Sequence, residues 1–459
     1  MIKKLLIANR GEVALNILRN CRELGIKTVV VYSNVDREQP AVYLADEAIC
    51  IGEAKSQSSY LNQSNILMAA LETGCDSIHP GYGFLSENGD FADKVEKCGL
   101  KLVGPSSKVM KLMGDKISSK NLMIENSVPT VPGFNRKIEN KEELIDIASE
   151  IGFPILLKAS AGGGGKGMRK VSKDEDLVFA WEMTRKEAMS SFSNDSIYIE
   201  KFIENPRHIE VQILADAYGN VIHLFERECS LQRNNQKILE ESPCNFLSED
   251  LLSEIRNAAV KCAKACKYEG AGTVEFIVEE SGNFYFMEMN TRLQVEHSVT
   301  EMVTGINIVK EQLKIASGLP LSITQEDVRK EGHSIEVRVN AQNPLLDFQP
   351  QCGEVTFYLP PGGMDTRFES SLYKGAKILP YYDPMIAKLI VKDKTRLGAI
   401  KKLRRAIEET IIDGIKTNLG FQYAILHDKD FIRGKIDTGF LKRKEETLLE
   451  AMRHVEKGE

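Results

Sequence analysis

Residues 272–300, GTVEFIVEESGNFYFMEMNTRLQVEHSVT, restrict this chain more than any other stretch. Two runs rich in β-branched and aromatic residues, 273–279 and 283–289, flank Ser281-Gly282. That is the pattern of a hairpin closed by a two-residue turn. Counting outward pairs Glu280 with Asn283 and Glu279 with Phe284, and places Glu275 opposite Glu288. Directly opposed side chains have Cβ atoms roughly 4.5–5.5 Å apart, where like charges repel. Two facing carboxylates therefore call for a cation, and oxygen donors suit Mg²⁺ or Mn²⁺. Further on, Glu288, Asn290, Arg292, Gln294 and Glu296 alternate with Met289, Thr291, Leu293 and Val295. An extended chain puts all five polar heads on one side. Such a row offers a berth for a metal-bound phosphate with a small anion beside it. A solvated edge strand explains neither the opposed acids nor the single arginine among them.

At 459 residues the chain has room for about three domains of ~150 residues. Its 42% apolar and 27% charged residues are those of a globular protein. A net charge of −6 supplies no global field for nucleic acid or an anionic membrane. The apolar run at the N-terminus stops at Asn9-Arg10, too short for a signal peptide, and no window approaches a membrane span. Nine cysteines, odd in number and scattered, predict reduced thiols and a cytoplasmic location. Cys262 and Cys266 stand four apart without a second ligand pair, so core packing is expected of them.

The chain opens with a strand over 2–8, a turn at Asn9-Arg10-Gly11, a helix to about 24 and a strand over 27–32. This predicts a Rossmann-like parallel sheet. A Gly/Pro-rich loop, HPGYGFLSEN at 79–88, carries Tyr82 at a strand end, where α/β sheets usually bind ligands. One helix is predicted over 108–127, containing Lys116, and a strand over 152–159 containing Lys158. The glycine loop at 162–167 matches G-x-G-x-x-G, yet a strand over 168–171 follows where a dinucleotide site needs a helix. No Ser or Thr follows its lysine as a Walker A loop requires, and the kinase motifs H-R-D and D-F-G are missing. What remains is a hairpin tip whose backbone N–H groups fold over phosphate oxygens. His208, Glu210 and Gln212 alternate with apolar residues, and 226–237 concentrates donors. In the last third, Glu336, Arg338 and Asn340 share one side of a strand. Strands over 353–359 and 385–391, a helix over 395–411 and a charged final helix with a frayed tail follow.

Read together, IANRGEVA, HPGYGFLSEN, GGGGKGM, EKFIENPRHIEVQ, ERECSLQR–QK, GTVEFI, FMEMNTRLQVEH and YYDPMIAKL closely resemble biotin carboxylase, the ATP-grasp component of biotin-dependent carboxylases. The likeness runs to about residue 446. It implies an α/β (α+β) fold: a Rossmann-like N-terminal domain over 1–114, an ATP-grasp core over 115–330 with a glycine-rich lid at about 130–203, a mixed C-terminal domain over 331–446 and a charged tail over 447–459. It assigns Lys116, Lys158, Gly163, Gly164, Gly165, Glu200, His208, Gln232 and Asn235 to ATP, with the backbone of Lys201 to Ile203 along adenine. Glu275, Glu288 and Asn290 match metal positions, and Arg292, Gln294, Val295 and Lys237 match bicarbonate contacts. Glu296 matches the general base, and Arg338 the residue beside the biotin ureido group, with Tyr82 lining that side.

The implied reaction has bicarbonate attack the γ-phosphate of ATP to give carboxyphosphate, which then delivers CO₂ to biotin. Met110-Lys111-Leu112-Met113 imitates a biotinylation site but lies in a predicted helix. The expected acceptor is therefore biotin on a separate carrier protein. A carboxyltransferase subunit and a homodimer are the other expected partners. Where the family usually carries arginine and histidine, this chain has Asn234 and Asn235, and Asn16 replaces an arginine near the subunit contact. Two other readings remain: a different ATP-grasp carboxylate ligase, or a nucleotide-binding regulatory subunit without turnover.

Overall fold

The computed structural model describes residues 1–134, 136–160, 167–192 and 194–457. Its first layer is a parallel sheet of β1 (Lys4–Ile7), β2 (Lys27–Ser33), β3 (Glu47–Gly52), β4 (Ser77–His79) and β5 (Lys101–Leu102), in the order β3-β2-β1-β4-β5. The helix Gly11–Glu23 buries Val13, Ile17 and Leu18, as its apolar spacing predicts. Strand order reverses between β1 and β4, the switch point at which such sheets bind ligands. The loops leaving those two strands are tied together, because Asn9 Nδ2 donates to the carbonyls of Pro80 and Tyr82, each at 2.7 Å. Gly81 makes that approach possible: its φ is +63°, and a Cβ there would lie 2.8 Å from Asn9 Nδ2. Gly81→Ala is accordingly expected to cost about 1–3 kcal/mol in a denaturant titration.

A second, antiparallel sheet runs β6-β9-β7-β8, from β6 (Gly133–Phe134), β7 (Ile155–Ala159), β8 (Met168–Val171) and β9 (Ile197–Lys201). Leu144, Ile147, Leu157 and Trp181 form its core under two helices, Lys141–Ile151 and Leu177–Phe192. Lys158 on β7 faces Met168 on β8. The glycine tip between them, with Gly163, Gly164 and Gly165, lies outside the described residues.

The third layer carries the site. It comprises β10 (Arg207–Ala215), β11 (Val221–Arg233), β12 (Gln236–Ser242), β13 (Gly270–Val278), β14 (Phe284–Asn290) and β15 (His333–Asn340). Short ribbons pair β16 (Gln342–Asn343) with β17 (Gln349–Pro350), and β18 (Gly353–Glu354) and β19 (Phe357–Leu359) with later strands. β20 (Thr366–Ser370), β21 (Lys377–Ile378), β22 (Met385–Asp393) and β23 (Ile411–Asp413) complete the set. Among the described residues, eight of these form one sheet, β14-β13-β10-β11-β12-β15-β22-β20, with no break between its central and C-terminal strands. The helix Glu249–Ala265 covers one face, packing Leu252, Ile255 and Cys262 against Val211, Phe276 and Phe286. Cys262 and Cys266 are buried there as free thiols. The helices Arg396–Glu409, Leu419–His427 and Phe440–Lys457 pack on the C-terminal strands.

Several expectations are corrected. The helix over 108–127 is two, Ser107–Gly114 and Lys116–Glu125, broken at Asp115, where ψ is 112°. The Asp115 carboxylate accepts from Ser118 N at 2.7 Å and caps the second helix, which brings Lys116 to its first turn. The strand over 353–359 is interrupted between β18 and β19. The polar row after Glu288 is not one extended strand: β14 ends at Asn290, and 291–296 turns into the helix His297–Thr304. Among the described residues no helix is long and apolar enough to cross a membrane.

Candidate active site

Glu275 and Glu288 are indeed Cα partners across β13 and β14. The route to that register differs from the simple count. The turn is one residue longer, so Phe284 meets Val278, and a bulge between Glu275 and Phe276 restores the pairing. Glu275 is buried and crowded with donors, whereas Glu288 is half-buried and faces a cleft of about 1220 Å³. Asn290 Nδ2 donates to Glu275 Oε1 at 2.8 Å and Gln294 Nε2 at 3.1 Å. Lys116 Nζ lies 3.8 Å from Glu288. Burial and the facing Glu275 push the Glu288 carboxyl above its ordinary range, against the pull of Lys116.

Lys237 is the hub of the site. Its ammonium donates to Glu210, to Glu275 Oε1 at 3.0 Å and to Glu296 Oε1 at 2.6 Å. Burial disfavours that charge, yet the three carboxylates outweigh it and hold Lys237 well above the usual lysine range. Glu296 has the converse balance. Burial raises it, but Lys237 and Arg338 keep it ionised well below the ordinary carboxylate range. Arg338 Nη2 donates to Glu296 Oε2 at 2.9 Å and Nε to Glu240 Oε1 at 2.6 Å. Arg292 is held by Glu87 Oε2 at 2.8 Å and reaches Asn290 Oδ1 at 3.1 Å.

The remaining predicted residues distribute along the same cleft. His208 Nδ1 accepts from Gln232 Nε2 at 2.7 Å, and its Nε2 stands 3.1 Å from Glu275 Oε2. Lys158 Nζ pairs with buried Glu200 at 2.8 Å, and burial together with nearby Lys116 lowers it to about 7. The Lys201 ammonium turns away to the carbonyls of Gly152 and Phe153, while Ile203 lines the cleft. The Val295 carbonyl accepts from Lys388 Nζ at 2.6 Å. Tyr82 lines the cleft too, with its hydroxyl donating to buried Glu12. Asn234 and Asn235 form the whole turn between β11 and β12, with φ of +51° and +61°. Two consecutive left-handed residues make a type I′ hairpin, for which asparagine is well suited.

Sequence reasoning passed over four participants. Glu87 positions Arg292, Glu210 and buried Arg227 flank Lys237, and buried Lys120 forms an ion pair with Glu200. The alternation of His208 and Glu210 with apolar residues and the donor-rich run 226–237 were the available signals for Glu210 and Arg227; Glu87 and Lys120 are joined to the site only by the fold.

Known proteins match this chain along nearly its whole length. Residues 1–110 match the biotin carboxylase N-terminal domain, 115–324 the ATP binding domain of the carbamoyl-phosphate synthase L chain, and 336–443 the biotin carboxylase C-terminal domain. Biotin carboxylase 1 of Bacillus subtilis is 53% identical over 96% of this chain and 98% of its own. The biotin carboxylase–β,γ-ATP complex of Campylobacter jejuni superposes with a TM-score of 0.94 at 46% identity, covering 96% of this chain and 99% of that one. The biotin carboxylase domain dimer of Hydrogenobacter thermophilus 2-oxoglutarate carboxylase, bound to MgADP, ADP and bicarbonate, also gives 0.94, at 48% identity over 98% and 99% of the two chains.

Proposed function

The chain belongs to the biotin carboxylase family, and on that premise we propose that it carboxylates biotin with ATP and bicarbonate, the first half-reaction of a biotin-dependent carboxylase. One observation carries the reading: a single sheet brings the Glu275/Glu288 pair, Lys237 and Arg338 to one cleft, and the turn after β14 sets buried Glu296 against Lys237 and Arg338. ATP is assigned to Lys116, Lys158, Glu200, His208, Gln232 and Asn235, with the backbone of Lys201 to Ile203 along the base. Glu275, Glu288 and Asn290 are hard oxygen donors, and the raised Glu288 is a charge that a divalent cation relieves. Mg²⁺ fits this set, and Mn²⁺ takes the same ligands. When bound, the ion neutralises phosphate charge that otherwise repels an incoming anion.

Arg292, Gln294, Val295 and Lys237 hold bicarbonate in line with the γ-phosphate. Glu296 accepts its proton as a bicarbonate oxygen attacks phosphorus, giving carboxyphosphate and ADP. Lys237 and Arg338 keep Glu296 charged until that transfer. Carboxyphosphate then separates into CO₂ and phosphate, phosphate takes the biotin N1 proton, and Arg338 stabilises the negative charge on the ureido oxygen. Biotin arrives on a separate carrier protein, the product passes to a carboxyltransferase subunit, and the working assembly is a homodimer.

ATP hydrolysis that requires bicarbonate and rises with free biotin is the expected result. Turnover indifferent to both would overturn the assignment. Asn235→His restores a cationic donor beside the nucleotide, and histidine tolerates the left-handed backbone there. The variant is expected to lower the KM for ATP severalfold; an unchanged or higher KM contradicts a nucleotide contact at this position.

A further inference from the structure

Behind Arg338 lies a pair of acids that the mechanism above leaves unused. Glu240 on β12 and Glu336 on β15 are direct Cα partners, and both are fully buried. Only Glu240 Oε1 is satisfied, by Arg338 Nε at 2.6 Å. Glu240 Oε2 and both Glu336 oxygens have no hydrogen bond among the described residues. The cation Lys388 stands 4.0 Å from Glu336, with its ammonium already donating to Val295 O at 2.6 Å and Ser298 Oγ at 2.9 Å. Two buried carboxyls facing each other with three free oxygens cannot both be ionised.

We propose that Glu240 and Glu336 share one proton and act as a positioning pair that holds the Arg338 guanidinium toward Glu296 and the biotin end of the cleft. The inference rests on the biotin carboxylase reading for its kinetic consequence only. The charged groups facing the pair are Lys237 on β12, Arg338 on β15 and Lys388 on β22. Glu296 faces it from the start of the helix His297–Thr304, where His297 is kept neutral by burial and nearby cations. Glu12, on the first helix, lies 3.8 Å from Lys388. Burial and the acidic neighbours, against the pull of Arg338, Lys237 and Lys388, raise Glu240 to about 7 and Glu336 to about 8.

With the proton in place, Arg338 is balanced between one carboxylate in the sheet and buried Glu296 beside the cleft. Loss of that proton as pH rises puts a second buried negative charge behind Arg338 and draws the guanidinium back from the cleft. The proton stays within the pair, so nothing is exchanged with substrate. A pH-dependent infrared difference spectrum of the full chain reads this directly. It should contain the C=O band of a protonated carboxyl at neutral pH that fades as pH rises, and Glu336→Gln should abolish it.

In biotin carboxylation, Glu336→Gln fixes the singly charged state. The alkaline limb of kcat should then move up by about one pH unit or more, with the KM for ATP changed less than about twofold. Glu240→Gln removes the charge behind Arg338 and should lower kcat about tenfold or more across the range. A band that survives in Glu336→Gln, an unaltered protein with no such band, or identical pH profiles would overturn the pair. If the unaltered protein does not carboxylate biotin, the functional reading falls while the infrared result still decides the shared proton.

Discussion

Lys237→Met is expected to reduce bicarbonate-dependent ATP turnover by about 10³-fold or more and to lower folding stability by about 3–5 kcal/mol. Both effects have one origin. The ammonium is the common donor to Glu210, Glu275 and Glu296, all of them buried. Arg227 also serves Glu210, but it makes no hydrogen bond to the other two among the described residues. Deleting Nζ leaves Glu296 with Arg338 as its hydrogen-bond donor among the described residues and Glu275 with Asn290, Gln294 and His208, so both carboxyls move up toward protonation and Glu296 becomes a poorer acceptor for the bicarbonate proton. Because Lys237 is held above the ordinary lysine value, its contribution to stability is complete below about pH 10.4 and is lost only beyond it. Denaturant titration and steady-state kinetics at neutral pH check the two parts separately. Turnover within tenfold of the unaltered protein would remove Lys237 and Glu296 from the proton path.

Arg396→Leu should be equally damaging to stability, about 3–5 kcal/mol, at a place remote from the chemistry. Arg396 grips Glu241 with two hydrogen bonds, at 2.6 and 2.9 Å, and gives two more donors to the carbonyls of Phe431 and Ile432. His333 Nε2 donates to the same carboxylate at 2.8 Å, a tautomer assigned from Asn245 donating to Nδ1. Burial works against the Glu241 charge, but His333 and Arg396 prevail and bring it from 4.5 to about 2. A depressed carboxyl stabilises the fold above its unfolded value and ceases to do so as pH falls through the folded one. Between about pH 4.5 and about pH 2 the unaltered protein should therefore lose about 3 kcal/mol from this group. The variant should show a flatter acid limb in urea titrations. An unchanged limb would mean that the acid sensitivity lies elsewhere.

The acids at the centre of the site were legible in the sequence, though for a partly mistaken reason. Glu275 and Glu288 face each other because a longer turn and a bulge compensate. Neither leaves a mark in a period-two pattern, and a slip of one residue would have turned one acid to the other face. The strand beyond Asn290 was overextended, since alternation in 288–296 persists through a turn whose residues are fixed by Glu87, Glu275 and Lys388. Asn234 and Asn235 are informative in another way. The family resemblance marks two missing cations, whereas the backbone shows a turn that needs left-handed residues. Lys120 and Glu240 were unreadable, and Arg227 was legible only as one donor in a run, because burial of a charge depends on partners contributed by distant segments. The parallel N-terminal sheet and the main strands over 168–171 and 385–391 were legible because period and turn chemistry agree there.

The unbroken ladder from β14 to β22 makes the molecule a ruler. Between β13, with its acid, and β15, with Arg338, the sheet interposes β10, β11 and β12. That gap is fixed at roughly four strand spacings of about 4.8 Å. It can lengthen only by inserting a whole strand, so loop variation leaves it untouched. What the ruler sets is the separation of two groups gripped at its two ends, one by the carboxylate of β13 and one by the Arg338 guanidinium, a span that only a change in strand count can retune.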